Sequence, residues 1–173
     1  RSRSARRLAP SLTTSGGSAE KLSRALALPH NGLTLSVHAG TEAVRARLVP
    51  HAPTLEVLFD TLAQVLPSLS RSRRRKVALA YLLVADENES DDEVDAFAAR
   101  ALPLAQPVHL YAYNPVPTSA AQPVSRARYE AVYRRLHEVG LLVRMSSAAR
   151  MEANGGCGTL VAIRATPEAR SRE

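Results

Sequence analysis

Strand-like and helix-like patterns take turns along this chain, and that alternation limits its fold more than any other feature. Residues 8–15 are short and β-competent and end at Gly16-Gly17. Ser18 then stands where an N-cap belongs, ahead of a helical run over 19–28. The stretch 32–39 (Gly-Leu-Thr-Leu-Ser-Val-His-Ala) alternates apolar and polar residues and is the clearest strand. A short helix is expected over 41–48, with Pro50 beyond its end. Leu55, Leu58, Phe59, Leu62, Val65 and Leu66 fall three and four apart, which predicts an amphipathic helix over 54–69 interrupted near Pro67. Residues 76–84 read as a buried strand, and acid-rich 86–95 leads into a helix running to about 104. A strand over 108–113 and a proline-rich loop over 114–123 follow, then a helix capped by Ser125 and closed at Gly140. A strand is expected over 141–145, a polar loop over 146–158 and a last short element over 160–164.

About five strands with helices between them make an α/β protein with parallel strands. That is too few for a closed eight-stranded barrel but suits part of one. The reading is one incomplete barrel domain over 1–166 and a disordered tail over 167–173, with no internal repeat.

Composition narrows the classes. With 45% hydrophobic and 23% charged residues in 173, the chain is an ordinary globular one. Its longest apolar stretch, 77–85, is far short of a membrane span. A single cysteine, Cys157, excludes an internal disulfide framework and a zinc or iron–sulfur site built from this chain's own thiolates. The net charge is +7, and all 23 basic residues except Lys21 and Lys76 are arginine. Guanidinium forks pair well with phosphate, which points to RNA or DNA; codon bias in a GC-rich genome gives the same composition. The chain opens on Arg1 rather than Met, as a processed, truncated or partial chain would, and 1–7 resembles the end of a mitochondrial transit peptide.

In parallel α/β folds, ligand sites gather at the C-terminal ends of strands. Four such ends are chemically distinctive: Thr13-Thr14-Ser15-Gly16, Ser36-Val37-His38-Ala39, Asn114-Pro115 and the loop around Cys157. Alternation along the strand puts Ser36 and His38 on one face. His38 is equally a common histidine at a sheet end, and Asn-Pro an ordinary turn opener. His30, His51, His109 and His137 show no ligand spacing. The run Arg71-Ser-Arg-Arg-Arg-Lys76 reads as a solvated connection, or as a phosphate contact on the face opposite the strand exits. Acidic 86–95 is a helix-start pattern favoured by the macrodipole.

These exits carry a resemblance. Leu35-Ser-Val-His-Ala39 with Arg45 and Leu48-Val-Pro50 is similar to the S-L-H-A…R…(I/L)-V-P segment of the RlmN/Cfr family of radical S-adenosylmethionine RNA methyltransferases. Thr13-Thr-Ser-Gly16 resembles that family's S-T-S-G turn. Tyr81 and Asn88 match its Y…L-D-x-V-N-D stretch, with Ala85 in place of the aspartate. Tyr113-Asn-Pro-Val-Pro117 matches its (W/Y/F)-N-P-x-P loop, and Cys157-Gly-Thr-Leu160 its C-G-Q-L. The motifs follow in order from Leu8 to about Ile163.

The resemblance implies the C-terminal part of a radical S-adenosylmethionine barrel. It implies a cytoplasmic, monomeric enzyme without a membrane partner that methylates an adenine of 23S rRNA, and in some members of tRNA. Thr13, Ser36, Val37, His38 and Asn114 would bind S-adenosylmethionine, and Cys157, set between Gly156 and Gly158, would carry the methyl as S-methylcysteine. The complete protein would hold a [4Fe-4S] cluster fed by an electron donor. The family's C-x-x-x-C-x-x-C ligands would lie upstream of Arg1, so the chain alone would not be competent. The loop Arg150-Met-Glu-Ala-Asn-Gly-Gly-Cys157 departs from the family's R-G-x-D-I-x-A-A-C. A second reading is a cluster-free RNA-binding or ribosome-associated scaffold of the same descent; a different radical enzyme sharing the barrel is a third.

Overall fold

The structure, a computed structural model, describes residues 9–145. Five strands, β1 (Ser11–Thr14), β2 (Gly32–Ser36), β3 (Val77–Leu83), β4 (Val108–Ala112) and β5 (Val143–Met145), form one parallel sheet in sequential order. Six helices connect them: α1 (Ala19–Ala27), α2 (Glu42–Leu48), α3 (Leu55–Val65), α4 (Arg71–Arg74), α5 (Asp91–Ala101) and α6 (Arg126–Glu138). Each new strand joins the same edge of the sheet, so right-handed crossovers carry every helix to one face. This is the winding of a barrel section, the α/β architecture the alternation predicts.

Capping explains why the helices start where they do. The side chains of Ser18, Thr41, Thr54, Ser90 and Ser125 accept hydrogen bonds from the N–H groups of Lys21, Val44, Val57, Glu93 and Arg128. Such caps contribute about 1 kcal/mol each. α3 and α5 end in single 3-10 turns, Leu66–Ser68 and Leu102–Leu104, where Pro67 and Pro103 remove a helical N–H. Gly140, at φ +97°, closes α6 in a backbone conformation that side chains disfavour.

The two sheet faces differ in kind. Leu33, Leu35, Val77, Leu79, Tyr81, Leu83, Val108 and Leu110 are fully enclosed beneath the helices. The pairing register aligns Thr13 with Thr34 and Ala78, and Ser36 with Ala80 and His109, on the other face. Small and hydroxyl side chains line this face on β1 and β2, with Leu82, His109 and Tyr111 beyond them on β3 and β4.

One expectation changes: the strand expected over 32–39 stops at Ser36. The basic stretch read as a solvated connection is exposed apart from half-buried Arg73, and it contains the helical turn α4. No helix among the described residues is long and apolar enough to cross a membrane. The readings for 146–173, including the loop, the 160–164 element, the tail and Cys157, lie outside the described residues, as do those for 1–8.

Candidate functional site

Because all five strands are parallel, the exits of β1, β2, β3 and β4 lie along one edge of the sheet. Two polar side chains fix their relative positions. Arg45, 2% exposed on α2, donates through Nη1 to the carbonyls of Ser36 and Val37, both at 2.7 Å. Its Nη2 donates to the Ser15 carbonyl at 2.9 Å and its Nε to that of Pro53 at 3.4 Å. One guanidinium therefore ties the end of β1 to the end of β2. No carboxylate among the described residues pairs with it, so the carbonyl dipoles solvate a buried charge.

Asn88 does the corresponding work between β2 and β3. Fully enclosed, its Nδ2 donates to the carbonyls of His38 (2.8 Å) and Leu82 (2.7 Å), and its Oδ1 accepts from Val84 N–H at 2.8 Å. The Tyr81 hydroxyl donates to the Asn88 carbonyl at 2.8 Å, and burial pushes that phenol far above its ordinary pKa. Beneath them the buried Glu93 carboxylate accepts from Gly40 N–H (2.5 Å) and Thr41 N–H (3.1 Å). Gly40 permits this approach: a Cβ there would sit 2.1 Å from the Glu93 carbonyl oxygen.

The predicted site residues fall into this frame unequally. Thr13 is exposed and Ser36 half-buried, both on the small, polar face. Asn114 is half-buried just past β4. The expectation that Ser36 and His38 share a strand face does not hold. The N–H groups of Val37 and His38 both donate to the Ala80 carbonyl, at 3.0 and 3.2 Å, which breaks the alternation. His38 then turns into the left-handed region at φ +58°.

Its ring folds back against β3, where Nδ1 accepts from Leu82 N–H at 3.0 Å. That bond fixes the neutral tautomer with the proton on Nε2. Burial, then the Arg45 charge, lower its pKa from 6.5 to about 4. His38 is thus uncharged at neutral pH, with the Ala80 carbonyl also beside its ring. Val37 is fully enclosed, with its N–H given to Ala80 and its carbonyl taken by Arg45. Cys157 lies outside the described residues.

Sequence reasoning assigned no role to Arg45, Asn88 or Glu93, although Arg45 and Asn88 stand within recognised motifs. The available signal was a long polar side chain inside an otherwise apolar segment, which a fold tolerates only with partners. A separate cleft of about 690 Å³ beyond β3 is lined by Asp86, Glu87, Glu89, Ser90, Asp91 and Arg128. Its acidic wall is unlike the hydroxyl-lined face. Among the described residues no His, Cys, Asp and Glu side chains group as a metal site.

Comparison with known proteins gives a consistent set of relatives. No family model matches the chain. A probable dual-specificity RNA methyltransferase RlmN of Parasynechococcus marenigrum is 30% identical over 130 residues, 74% of this chain and 37% of that protein. A probable RNA methyltransferase of Chromobacterium violaceum is 32% identical over 129 residues, 74% of this chain and 36% of that protein. The chain therefore spans little more than a third of the length of the curated relatives it matches. Among solved structures, a radical SAM methyltransferase from Sphaerobacter thermophilus superposes with a TM-score of 0.68 at 22% identity, over 86% of this chain and 43% of that one. A domain of a pyruvate-formate lyase-activating enzyme from Bacteroides vulgatus gives 0.58 at 12% identity, over 79% and 80%. The parallel sheet is the C-terminal portion of a partial, TIM-like barrel of this kind.

Proposed function

Because the chain is related over 74% of its length to the RlmN-type RNA methyltransferases, we propose that it is the C-terminal part of a radical S-adenosylmethionine enzyme that methylates RNA. The observation that supports this best is the braced row of strand exits, in which Arg45 and Asn88 hold Ser36 and His38 beside the small, polar sheet face. Thr13, Ser36 and Asn114 would bind the ribose and amino-acid parts of S-adenosylmethionine by hydrogen bonds, and His38 would add a neutral imidazole. Val37, whose backbone groups are spent inside the fold, supports its neighbours. The hydroxyl and amide donors fit an uncharged ribose and a zwitterion, and a neutral His38 places no second cation beside the sulfonium.

S-Adenosylmethionine supplies an electrophilic methyl group. As a thiolate, Cys157 would take that methyl, forming a carbon–sulfur bond while the donor leaves as a thioether, and so becomes S-methylcysteine. It then presents the methyl carbon to adenine of 23S rRNA or tRNA. The [4Fe-4S] cluster does not fit this chain: it has one cysteine, so the ligands must come from other sequence, and the cluster's electron donor acts there too.

Peptide mapping of the native protein around Cys157 tests the reading. One added methylene on that peptide, with loss of RNA methylation in Cys157→Ala, is the expected result. An active Cys157→Ala variant overturns the role of Cys157, and an unmodified thiol in a protein without RNA methylation favours the RNA-binding scaffold.

A further inference from the structure

We propose that the end of the barrel opposite the strand exits is a second contact for the RNA backbone, built on α4 and residue 75. The inference rests on the RNA methyltransferase reading for its choice of polyanion; the surface itself is read from charge and geometry.

Residues 70–76 are Ser-Arg-Ser-Arg-Arg-Arg-Lys, without one apolar side chain. Arg71, Arg74 and Arg75 are exposed and stand at i, i+3 and i+4, which sets them on one side of the turn, about 5–6 Å apart at Cβ. Their neighbours anchor the platform: Arg73 Nη2 donates to the Ala27 carbonyl at 2.8 Å, and Lys76 Nζ to that of His30 at 3.5 Å. The run is thereby held against the end of α1.

Two observations mark this surface as lacking a partner. Arg47, Arg126, Arg128 and Arg135 each pair with a carboxylate, whereas no described carboxylate reaches Arg71, Arg73, Arg74, Arg75 or Lys76. Directly beside Arg73 and Lys76, the His30 ring is 5% exposed and neither of its nitrogens has a hydrogen-bond partner. Burial first, then the Arg73 and Lys76 charges, hold that ring's pKa below its ordinary value, against an opposing contribution from the Leu26 carbonyl. An incoming phosphate supplies the missing negative charge. Arginine forks favour phosphodiesters, and a run with no apolar side chain has nothing to insert into a bilayer. The seven residues of β3 separate this face from the strand exits by roughly 20 Å, which a folded RNA spans.

The test is fluorescence anisotropy with a labelled 20-nucleotide RNA hairpin as probe, over about 50 to 200 mM KCl. Compared are the wild-type chain, Arg71→Gln/Arg74→Gln/Arg75→Gln, the corresponding triple lysine variant, and Arg47→Gln/Arg126→Gln. The account predicts that the glutamine triple lowers the log–log salt slope by about 2 to 3, in line with three lost phosphate contacts. The lysine triple and the Arg47/Arg126 variant keep the wild-type slope. Circular dichroism confirms folding, and the lysine triple controls for any loss of structure at α4. An unchanged slope in the glutamine triple overturns this surface, as does wild-type binding to phosphatidylserine vesicles but not to the hairpin. Either result leaves methylation of Cys157 standing as a separate question.

Discussion

The guanidinium of Arg45 and the carbonyl of Ser36 are joined at 2.7 Å, so a buried cation takes up the carbonyls where β2 leaves the sheet. The same group reaches the Ser15 carbonyl, and β1 and β2 therefore leave the sheet as a pair. Any ligand resting on Thr13 and Ser36 relies on that spacing.

Replacing Arg45 by Met keeps much of its volume and removes its donors. Three strongly bonded carbonyls lose their partner, and relief of the buried charge offsets part of the loss. We predict a destabilisation of about 2–4 kcal/mol by urea denaturation, with Arg45→Lys recovering only part. A change below about 1 kcal/mol would show that the carbonyls find other donors.

Stability depends on pH through His38. Its folded pKa of about 4 lies below the ordinary 6.5, so between those values the unfolded chain binds the extra proton. The stabilisation is complete above 6.5 and is lost as pH falls towards 4, amounting to about 3 kcal/mol. Asn accepts the left-handed backbone at this position and offers an oxygen to Leu82 N–H. His38→Asn should therefore flatten the stability profile in that window relative to wild type. Equal profiles would contradict the tautomer and burial described.

Asn88→Ala leaves Val84 N–H without its partner and frees the His38 and Leu82 carbonyls, all within the interior. A loss of about 2–4 kcal/mol follows, because buried orphaned groups carry their full desolvation cost. Hydrogen exchange at Val84 should accelerate before that of the α1 core. Unaltered exchange there would remove Asn88 from its bracing role.

Gly40→Ala places a methyl 2.1 Å from the Glu93 carbonyl oxygen and 2.4 Å from the Phe97 nitrogen. Both are backbone atoms of α5, so the helix must move. A cost of about 3 kcal/mol or more in thermal or urea unfolding is expected. Wild-type stability would mean that α5 is free to slide.

Periodicity and capping residues carried most of the fold into the sequence. Ser18 and Ser125 mark helix starts, and Gly140 a helix end, because each answers a local backbone need. The break after Ser36 was illegible, since it comes from two N–H groups sharing the Ala80 carbonyl on another strand. The one-turn helix α4 was hidden for a similar reason: four residues give too little period to read. At the site, the motifs located the strand exits. They could not reveal that Val37 is spent inside the fold, or that Arg45 and Asn88 hold the exits together, because those roles depend on carbonyls distant in sequence.

The central claim is that the exits of β1, β2 and β4 form an S-adenosylmethionine-binding edge. Titration of the isotope-labelled protein with S-adenosylhomocysteine, followed by amide chemical shifts, tests it most directly. The account predicts saturable shifts at Thr13, Ser36, His38 and Asn114, weakened in Arg45→Met. Shifts confined to the Asp86–Asp91 cleft or to residues 71–76, or no shifts with the ligand in the millimolar range, would contradict it.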